Sequence, residues 1–403
     1  MTAAVLNDAL EQGHVESHLH PEPTFDVDAH PVPSGREEIW RFTPLKRLRG
    51  LLDGVPSDGH LDVKEELPAG VTVTTISTEE AKALGVTPAF DRLGALAVAN
   101  AGGAILVDVP AEADLDGPVR VQLHGASVDD VVWGHLVLRV GAHARATVLV
   151  EHTGSTTFDA FTTVLVGDGA QLDLVHVNDW DDDAVHAEQI NIRVGRDATL
   201  RQFEFTLGGD LVRTSTNVDY AGPGGSAELF GLYFADAGQH FEHRLFVDHN
   251  APKTKSHVVY KGALQGAKAH TVWIGNVLIR KVAEDIETFE ENRNLVLTDG
   301  CRADSVPNLE IETGEIAGAG HASAVGRFDD EQLFYLRSRG ISEPEARRLV
   351  VHGFFNDLIR RVGVPELEEK LLATVEDELA KNVLRLDTPS PGGSGYSTTE
   401  GEV

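Results

Sequence analysis

The sequence predicts a mainly β protein in which a β-solenoid, a stack of similar coils, lies between two helical segments. Residues 104–326 contain short strands with alternating apolar side chains, whereas residues 35–103 and 327–386 have the spacing of helices. Gly-x-x-Ala turns follow the strands, as at Gly141 and Gly167, and recur roughly every 26–30 residues. Because turns at a fixed phase are typical of coils that share one core, a solenoid is favoured over a sandwich or a barrel.

The composition is that of a globular chain with a large acidic excess. Among 403 residues, 34 Lys and Arg stand against 64 Asp and Glu, which gives a formal charge of -30. This charge disfavours binding to nucleic acid or to an anionic membrane surface. No apolar run reaches the roughly 18 residues of a membrane-spanning helix, and residues 1–20 lack the features of a secretory signal. We therefore expect a cytoplasmic protein.

The N-terminal part is predicted as an arm followed by a helical domain. Residues 1–34 have the composition of a disordered acidic arm, and residues 387–403 that of a flexible tail. Between the arm and the solenoid, helical spacing covers Arg36–Leu52, begins again at Thr78 and returns over Asp91–Ala101. These three helices would make up the N-terminal domain.

Three further helices are predicted after the solenoid. The first covers Asp329–Ser338, and the second begins with a capping box formed by Ser342 and Glu345. The third covers Pro365–Lys381. We expect this bundle to close the open end of the solenoid, which would otherwise present unpaired strand edges.

Motifs for nucleotide binding and for nucleophilic hydrolysis are absent from the sequence. No Gly-Lys pair exists, so there is no phosphate-binding P-loop, and no Gly-x-Ser-x-Gly elbow is present. Gly318-Ala319-Gly320 begins like a dinucleotide fingerprint, but Ser323 stands where the third glycine is needed. A phosphate-binding loop and a hydrolase triad therefore have no anchor in this sequence.

The single cysteine, Cys301, has two interpretations. A solitary cysteine is most often a small buried hydrophobic residue. Alternatively, the neighbouring Arg302 lowers the pKa of the thiol and makes it a soft ligand for iron. His321 follows somewhat less than one repeat later, so that adjacent coils would bring the two side chains together. Two such ligands hold a cluster only if a second chain supplies the others.

Four segments carry a resemblance to a known family. They are Val258–Leu264, Val282–Glu290, Pro307–Ile311 and, most specifically, Val325–Ile341 with its run Asp-Glu-Gln-Leu-Phe-Tyr-Leu-Arg-Ser-Arg-Gly-Ile. They resemble the SufB/SufD family of iron–sulfur cluster assembly proteins, and the resemblance extends over most of the chain. It implies a right-handed parallel β-helix between helical domains. It also implies a non-catalytic scaffold that works with SufB, SufD and the ATPase SufC, which fits the missing P-loop.

Within this family the chain is more similar to the SufD branch. SufB members carry a cysteine at the position of Cys301 and a His-Glu pair where this chain has His321-Ala322. The missing Glu, the chain length and the opening Trp40–Leu45 resemble SufD, for which Cys301 is a departure. His321 matches the SufD histidine that is proposed to face the SufB cysteine at the heterodimer interface.

The resemblance also implies site residues and partners. His321 and Cys301 are the candidate ligands of a transient iron–sulfur cluster shared with SufB, with FAD possible only at the level of the complex. The partners would be SufB, SufC and sulfur donor proteins. The candidate partner-binding residues are Val306, Ile311, Phe334, Tyr335, Arg337, Phe354 and Phe355.

Two alternatives remain at this point. The first is a SufB-like homodimeric scaffold that binds the nascent cluster itself through Cys301. The second, less favoured, is a polysaccharide-active β-helix enzyme of the extracellular type, which the expected cytoplasmic location disfavours. Reconstitution of the isolated chain with iron and sulfide would distinguish these alternatives from a SufD-type scaffold, because SufD alone is expected to hold little or no stable cluster.

Overall fold

The computed structural model describes residues 22–85, 87–327 and 330–386. It confirms the predicted fold class, because the molecule is a parallel β-solenoid with short helices at both ends. The strands are β1 Asp62–Glu66, β2 Thr72–Ile76, β3 Ala104–Val109, β4 Val119–Val140, β5 Arg145–Val166, β6 Gln171–Trp180, β7 Val185–Val194, β8 Thr199–Thr206, β9 Leu211–Tyr220, β10 Ser226–Ala235, β11 His240–His249, β12 Lys255–Leu264, β13 His270–Ile279, β14 Glu287–Val296, β15 Arg302–Ile311 and β16 Gly318–Arg327. The α-helices are α1 Thr78–Ala83, α2 Arg92–Asn100, α3 Asp330–Ser338, α4 Glu343–Ile359 and α5 Pro365–Leu386.

Two walls of parallel strands form the solenoid, and the long strand β5 belongs to both. Residues 145–154 of β5 pair with β6, and residues 157–166 pair with β7. From there the even-numbered strands up to β16 stack as one wall, here called the even wall, and the odd-numbered strands up to β15 stack as the odd wall. Each coil contributes one strand to each wall. Strands β15 and β16 are therefore the terminal strands of the two walls.

The glycine turns recur at the same position in each coil because the backbones of successive coils are in contact there, at the corner between the odd wall and the even wall. At Gly141, Gly167 and Gly195 the N–H of the alanine three residues later donates to the glycine carbonyl, at 3.2, 3.1 and 3.2 Å. A Cβ on Gly167 would lie 2.6 Å from the backbone nitrogen of Ala142 in the preceding coil. Only glycine allows this approach of two backbones. The Gly-x-x-Ala repeat in the sequence therefore results from the stacking of successive coils.

The N-terminal segment is less helical than the sequence predicts. Over Arg36–Leu52 the chain forms only short 3-10 turns, at Leu45–Leu48 and, continuing beyond this range, at Leu51–Asp53. Pro44 precedes the first turn, and Arg49 after it adopts a left-handed backbone with φ 48°, so that a continuous helix cannot form. Strands β1 and β2 were not expected, whereas α1 and α2 coincide with the helices predicted at Thr78 and over Asp91–Ala101.

The predicted arm is described only from residue 22 onward. There Phe25 packs edge-to-face on Phe161 of the solenoid, with ring centroids 6.0 Å apart, and Val27–Ala29 forms a 3-10 turn. Residues 1–21 of the predicted arm and the predicted tail 387–403 lie outside the described residues. The described part of the arm is therefore a packed segment of the N-terminal layer.

Helices α4 and α5 pack on the side of the solenoid and leave its end open, contrary to the expectation that the bundle closes it. The outer face of the even wall carries large apolar side chains, among them Phe203, Phe230 and Leu232, and these join one apolar core with Phe355 and Leu371 of the helices. Burial of this apolar surface is the reason for the lateral position. No helix among the described residues is long and apolar enough to span a membrane.

One predicted helix cap differs from the observed one. Ser342 is the N-cap of α4, but its side chain makes no capping hydrogen bond. Glu345 instead accepts from the guanidinium of Arg348, at 2.8 and 3.1 Å. A complete capping box stands at α1, where the side chains of Ser77 and Glu80 bond each other's backbone N–H.

Candidate functional site

The last coil, defined as residues 302–327 with strands β15 and β16, differs from every preceding coil in its exposure. β13 is almost entirely buried, β15 is half-buried, and β16 is largely exposed. Among the residues that the structure describes, β15 pairs only with β13, and β16 pairs only with β14. One edge of each terminal strand therefore presents backbone amides and carbonyls without a ladder partner. Such an edge is a template for another chain.

His321 lies in the middle of β16 and is exposed. The neighbouring Ala319 packs against the solenoid core, whereas Gly320 lies against the outward ring of Phe289. Because side chains alternate along a strand, His321 faces the interior side of the coil, like Ala319. No further coil covers it in the described part of the chain, so this interior side opens outward. The imidazole is thus presented at the mouth of the solenoid.

Directly below His321 lies a buried carboxylic acid. The register of the two parallel strands pairs His321 with Glu290 of β14. Glu290 is 2% exposed, and its Oε1 has no hydrogen-bond partner. Gly275 of the odd wall makes room for it, since a Cβ there would lie 2.3 Å from Glu290 Oε2. Burial raises the pKa of this carboxyl to about 8.

Cys301 lies in the turn between β14 and β15, half-buried against the solenoid core. Its thiol donates to the carbonyl of Gly266 at 3.2 Å, and burial raises its pKa, with the nearby Asp299 acting in the same direction. Arg302 does not activate the thiol, because its guanidinium pairs with Asp304 at 2.7 Å. These contacts correspond to the first interpretation of the lone cysteine, a small packed side chain.

Cys301 and His321 are not brought together, contrary to the expectation from repeat length. Glu290, the register partner of His321, lies six residues before Val296 at the end of β14. At about 3.3 Å per residue this places His321 about 20 Å from the corner that holds Cys301. No three His, Cys, Asp or Glu side chains within the described ranges are grouped to hold a metal ion.

The predicted partner-binding residues fall into exposed and buried groups. On the last coil, Ile311 is 45% exposed, and Val306 is half-buried. On α3, Phe334 and Tyr335 are 74% and 55% exposed, and the side chain of Arg337 is exposed beside Glu343. These side chains are accessible to a partner.

The two remaining candidates belong to the attachment of the bundle. Phe355 is fully buried in the core between the helices and the even wall, so its side chain is not accessible as a docking residue. Phe354 is half-buried, with the ammonium of Lys261 5.2 Å from its ring centroid. The apolar spacing of α4 does not distinguish which of two adjacent aromatic residues faces the solenoid.

The sequence interpretation missed a column of titratable side chains inside the solenoid. Glu188 Oε2 lies 3.7 Å from His186 Nε2 and 3.9 Å from His176 Nδ1. Further along the even wall, the hydroxyl of Tyr260 in β12 donates to Glu204 in β8 at 2.8 Å. Burial lowers the pKa of His176 to about 4 and of His186 to about 3, and raises that of Glu188 to about 7. The sequence signal that could have found them is the alternation of side chains along each strand, since all five residues occupy inward positions of their strands.

Comparisons with known proteins agree with this architecture. Residues 123–354 match the family profile described as "SUF system FeS cluster assembly, SufBD core domain". An iron–sulfur cluster assembly SufBD family protein of Mycobacterium bovis is 51% identical over 387 residues, which is 94% of this chain and 97% of that protein.

More distant relatives carry the name SufD. The iron–sulfur cluster assembly protein SufD of Bacillus subtilis is 25% identical over 72% of this chain and 68% of its own length. SufD of Escherichia coli is 28% identical over 61% of this chain and 58% of its own length. The matched region contains the last coil with His321. The chain therefore belongs to the SufBD family of iron–sulfur cluster assembly proteins.

Proposed function

We propose that the chain is a SufD-type scaffold subunit that pairs with a SufB-type protein through its last coil and docks a SufC-type ATPase through α3. The observation that carries this proposal is the open last coil, whose strand edges are free and whose inner side presents His321. A scaffold without a catalytic site of its own is consistent with a sequence that has no P-loop or hydrolase motif. Its location would be cytoplasmic.

The partner at the last coil is expected to be a second solenoid. β15 and β16 each leave one ladder edge free, and apolar Ile311 and Val325 are 45% and 53% exposed beside these edges. An exposed strand edge with apolar neighbours is costly to leave in water and is normally covered. A family member with a matching end would pair with it by strand-to-strand contact. SufB is the partner that we propose.

His321 is proposed as a ligand for the cluster while it is built. A neutral imidazole binds iron through nitrogen and does so less tightly than a thiolate, which suits a cluster that later leaves. The remaining ligands, including thiolates, would come from the SufB-type partner. FAD, if it takes part, would act at the level of the complex, and sulfur donor proteins would supply the sulfide.

The SufB-like alternative, in which this chain holds the cluster through Cys301, has less support. The thiol is half-buried, its pKa is raised, and it bonds to the carbonyl of Gly266. These contacts hold the thiol at a corner about 20 Å from His321, away from the open inner side of the last coil. Membership of the SufBD family likewise gives no support to the polysaccharide-active enzyme.

Helix α3 is proposed as the docking surface for the ATPase. Phe334 and Tyr335 form an exposed aromatic pair, flanked by the guanidinium of Arg339 4.8 Å from the Tyr335 ring centroid. Aromatic side chains next to arginine are the residue types that dominate protein interfaces. ATP hydrolysis would occur in the SufC-type partner.

The test is co-expression of the chain with SufB-type and SufC-type proteins, followed by affinity purification and iron and sulfide analysis. Ile311→Asp should lower recovery of the SufB-type partner at least tenfold, and Phe334→Asp should lower recovery of the ATPase. Val55→Asp is the matched control, because Val55 is 61% exposed in the N-terminal segment. His321→Ala should keep both partners and lose most of the iron. Normal partner recovery by the first two variants would overturn the proposed interfaces.

A further inference from the structure

We propose that Glu290 is a second iron ligand supplied by this chain, adjacent to His321 at the mouth of the solenoid. The inference rests on the proposed function, since it assumes that iron reaches His321. It changes the picture of the site from a single histidine on an edge to a two-residue site on the inner side of the last two strands of the even wall.

Register brings the two side chains together. Glu290 of β14 and His321 of β16 are Cα partners in a parallel pair. Neighbouring strands lie about 4.8 Å apart, and paired residues of parallel strands point to the same face. A carboxylate oxygen and an imidazole nitrogen on adjacent strands can therefore reach one metal ion. The sequence conceals this, because the two residues are far apart along the chain.

Glu290 differs from the interior glutamates Glu188 and Glu204, which each leave one oxygen without a hydrogen bond but anchor the other. Glu188 accepts a hydrogen bond from Thr162 at 2.6 Å, and Glu204 accepts one from Tyr260 at 2.8 Å. In contrast, Glu290 is 2% exposed and neither of its carboxyl oxygens accepts a hydrogen bond from a described residue. Burial of an unsatisfied carboxyl oxygen is costly and is retained in native proteins where the group has a role. A metal ion at the mouth would satisfy it.

Space for the carboxyl is built into the opposite wall. Gly275 of β13 lacks the Cβ that would lie 2.3 Å from Glu290 Oε2, and the Trp273 ring covers the same position. The odd wall therefore closes the site on this side. A cation that binds both residues would come from the side of His321, which is the proposed interface with the partner.

The chemistry fits iron that is being delivered and not yet locked in a cluster. Imidazole nitrogen and carboxylate oxygen are both ligands of ferrous iron, and neither binds it as tightly as thiolate sulfur. Two protein ligands leave open positions for sulfide and for a partner thiolate. Glu290 and His321 would therefore hold iron before the sulfur ligands replace them.

The experiment uses the full chain co-expressed with its SufB-type and SufC-type partners and loaded anaerobically with ferrous iron and sulfide. Glu290→Gln should lower bound iron at least threefold, as His321→Ala does, while partner recovery and the thermal unfolding midpoint of the chain stay unchanged. Glu290→Asp should give intermediate loading. Glu287→Gln is the matched control, since Glu287 begins the same strand and is exposed beside Lys255.

The outcomes separate this inference from the proposed function. If His321→Ala loses iron and Glu290→Gln retains it, Glu290 is not a ligand and the proposed function stands. If both variants retain normal iron, the ligand role of His321 fails as well. If Glu290→Gln does not assemble, iron X-ray absorption of the unaltered complex decides: at least two nitrogen or oxygen neighbours per bound iron support the inference, and an all-sulfur environment overturns it.

Discussion

The middle coils and the last coil are built from the same kind of strand, yet they behave as different surfaces. β11 is paired on both sides, by β9 and β13, and its side chains are nearly all buried. β16 is paired on one side, and its inward residues are open to solvent. The difference does not come from composition, since polar inward residues occur in both. A stack acquires an accessible inner surface where the repeat stops, because no further coil covers it within the described ranges.

The largest contrast should appear when an inward side chain is truncated in each region. Trp273→Ala in β13 removes a fully buried ring and should lower the free energy of unfolding by about 3–5 kcal/mol, from lost burial plus the cavity left behind. Val325→Ala in β16, where Val325 is 53% exposed, should change it by about 0.5 kcal/mol or less. Urea unfolding followed by far-UV circular dichroism measures both. Equal losses would mean that the last coil is covered in solution.

A smaller contrast is expected from adding a methyl group to a corner glycine of the middle coils and to a strand glycine of the last coil. On Gly195 a Cβ would lie 2.7 Å from the backbone nitrogen of Asp168 in the preceding coil. Gly195→Ala should therefore cost about 1–3 kcal/mol through overpacking. On Gly326 the nearest atom to a Cβ is 3.9 Å away, so Gly326→Ala should leave the unfolding midpoint nearly unchanged. If the first variant is as stable as the second, contact at the corner does not enforce the repeat.

The buried histidines of the middle coils predict loss of stability in acid. Burial lowers the folded-state pKa of His176 to about 4, below its ordinary value of 6.5. The unfolded chain therefore takes up this proton first, and the stability present above pH 6.5 is lost as the pH falls toward 4. His176→Gln should reduce the slope of unfolding free energy against pH in this window by up to one proton, about 1.4 kcal/mol per pH unit.

Glu188 acts in the opposite direction and serves as the internal check. Burial raises its folded-state pKa from 4.5 to about 7, so its contribution is present below pH 4.5 and is lost as the pH rises through 7. The two windows overlap between pH 4.5 and 6.5, where the two groups act with opposite slopes. Glu188→Gln should therefore steepen the net loss of stability toward acid, whereas His176→Gln should flatten it. Urea unfolding between pH 4 and 8 measures both slopes, and a slope that is identical in His176→Gln and the unaltered chain would contradict the assignment.

The smallest effect is expected at an exposed ion pair of the last coil. Arg327 Nη1 lies 3.0 Å from Asp299 Oδ1, but the two side chains are 79% and 94% exposed. Water screens such a pair, so Arg327→Ala should change the unfolding free energy by less than about 0.5 kcal/mol. The midpoint should also be the same at low and high salt. A larger, salt-dependent loss would indicate that this edge is ordered by electrostatics.

Features that depend on local contact between successive coils could be predicted from the sequence. The glycine turns predict the solenoid because each glycine lies where the backbones of two successive coils are in contact, as at Gly141, Gly167 and Gly195. Helix α2 was likewise predicted to within one residue at each end, since Gly102-Gly103 marks its stop and the structure begins it after the N-cap Asp91. In contrast, the edge strands β1 and β2 have exposed, polar sequences that pair only because β4 and β3 are present.

The site could be predicted only in part, because register is a property of the whole stack. The family resemblance singled out His321, but its distance from Cys301 depends on where in the coil each residue falls. Repeat length alone suggested adjacency, whereas Cys301 lies at a corner and His321 lies mid-strand. Glu290 could have been found by aligning the strands, since it occupies the inward position held by Val258 and Leu229 in preceding coils.

The lateral attachment of the helical bundle fixes the distance between the helices and the mouth of the solenoid. Helix α4 packs on β10 and β12 of the even wall, and His321 lies on β16, two strands beyond β12 along that wall. At about 4.8 Å per strand, the histidine stands about 10 Å beyond the helices along the stack. This spacing can change only in whole coils, since a partial one would break the corner of glycines. Removing one coil would move the mouth closer to the bundle by one step and leave its orientation the same.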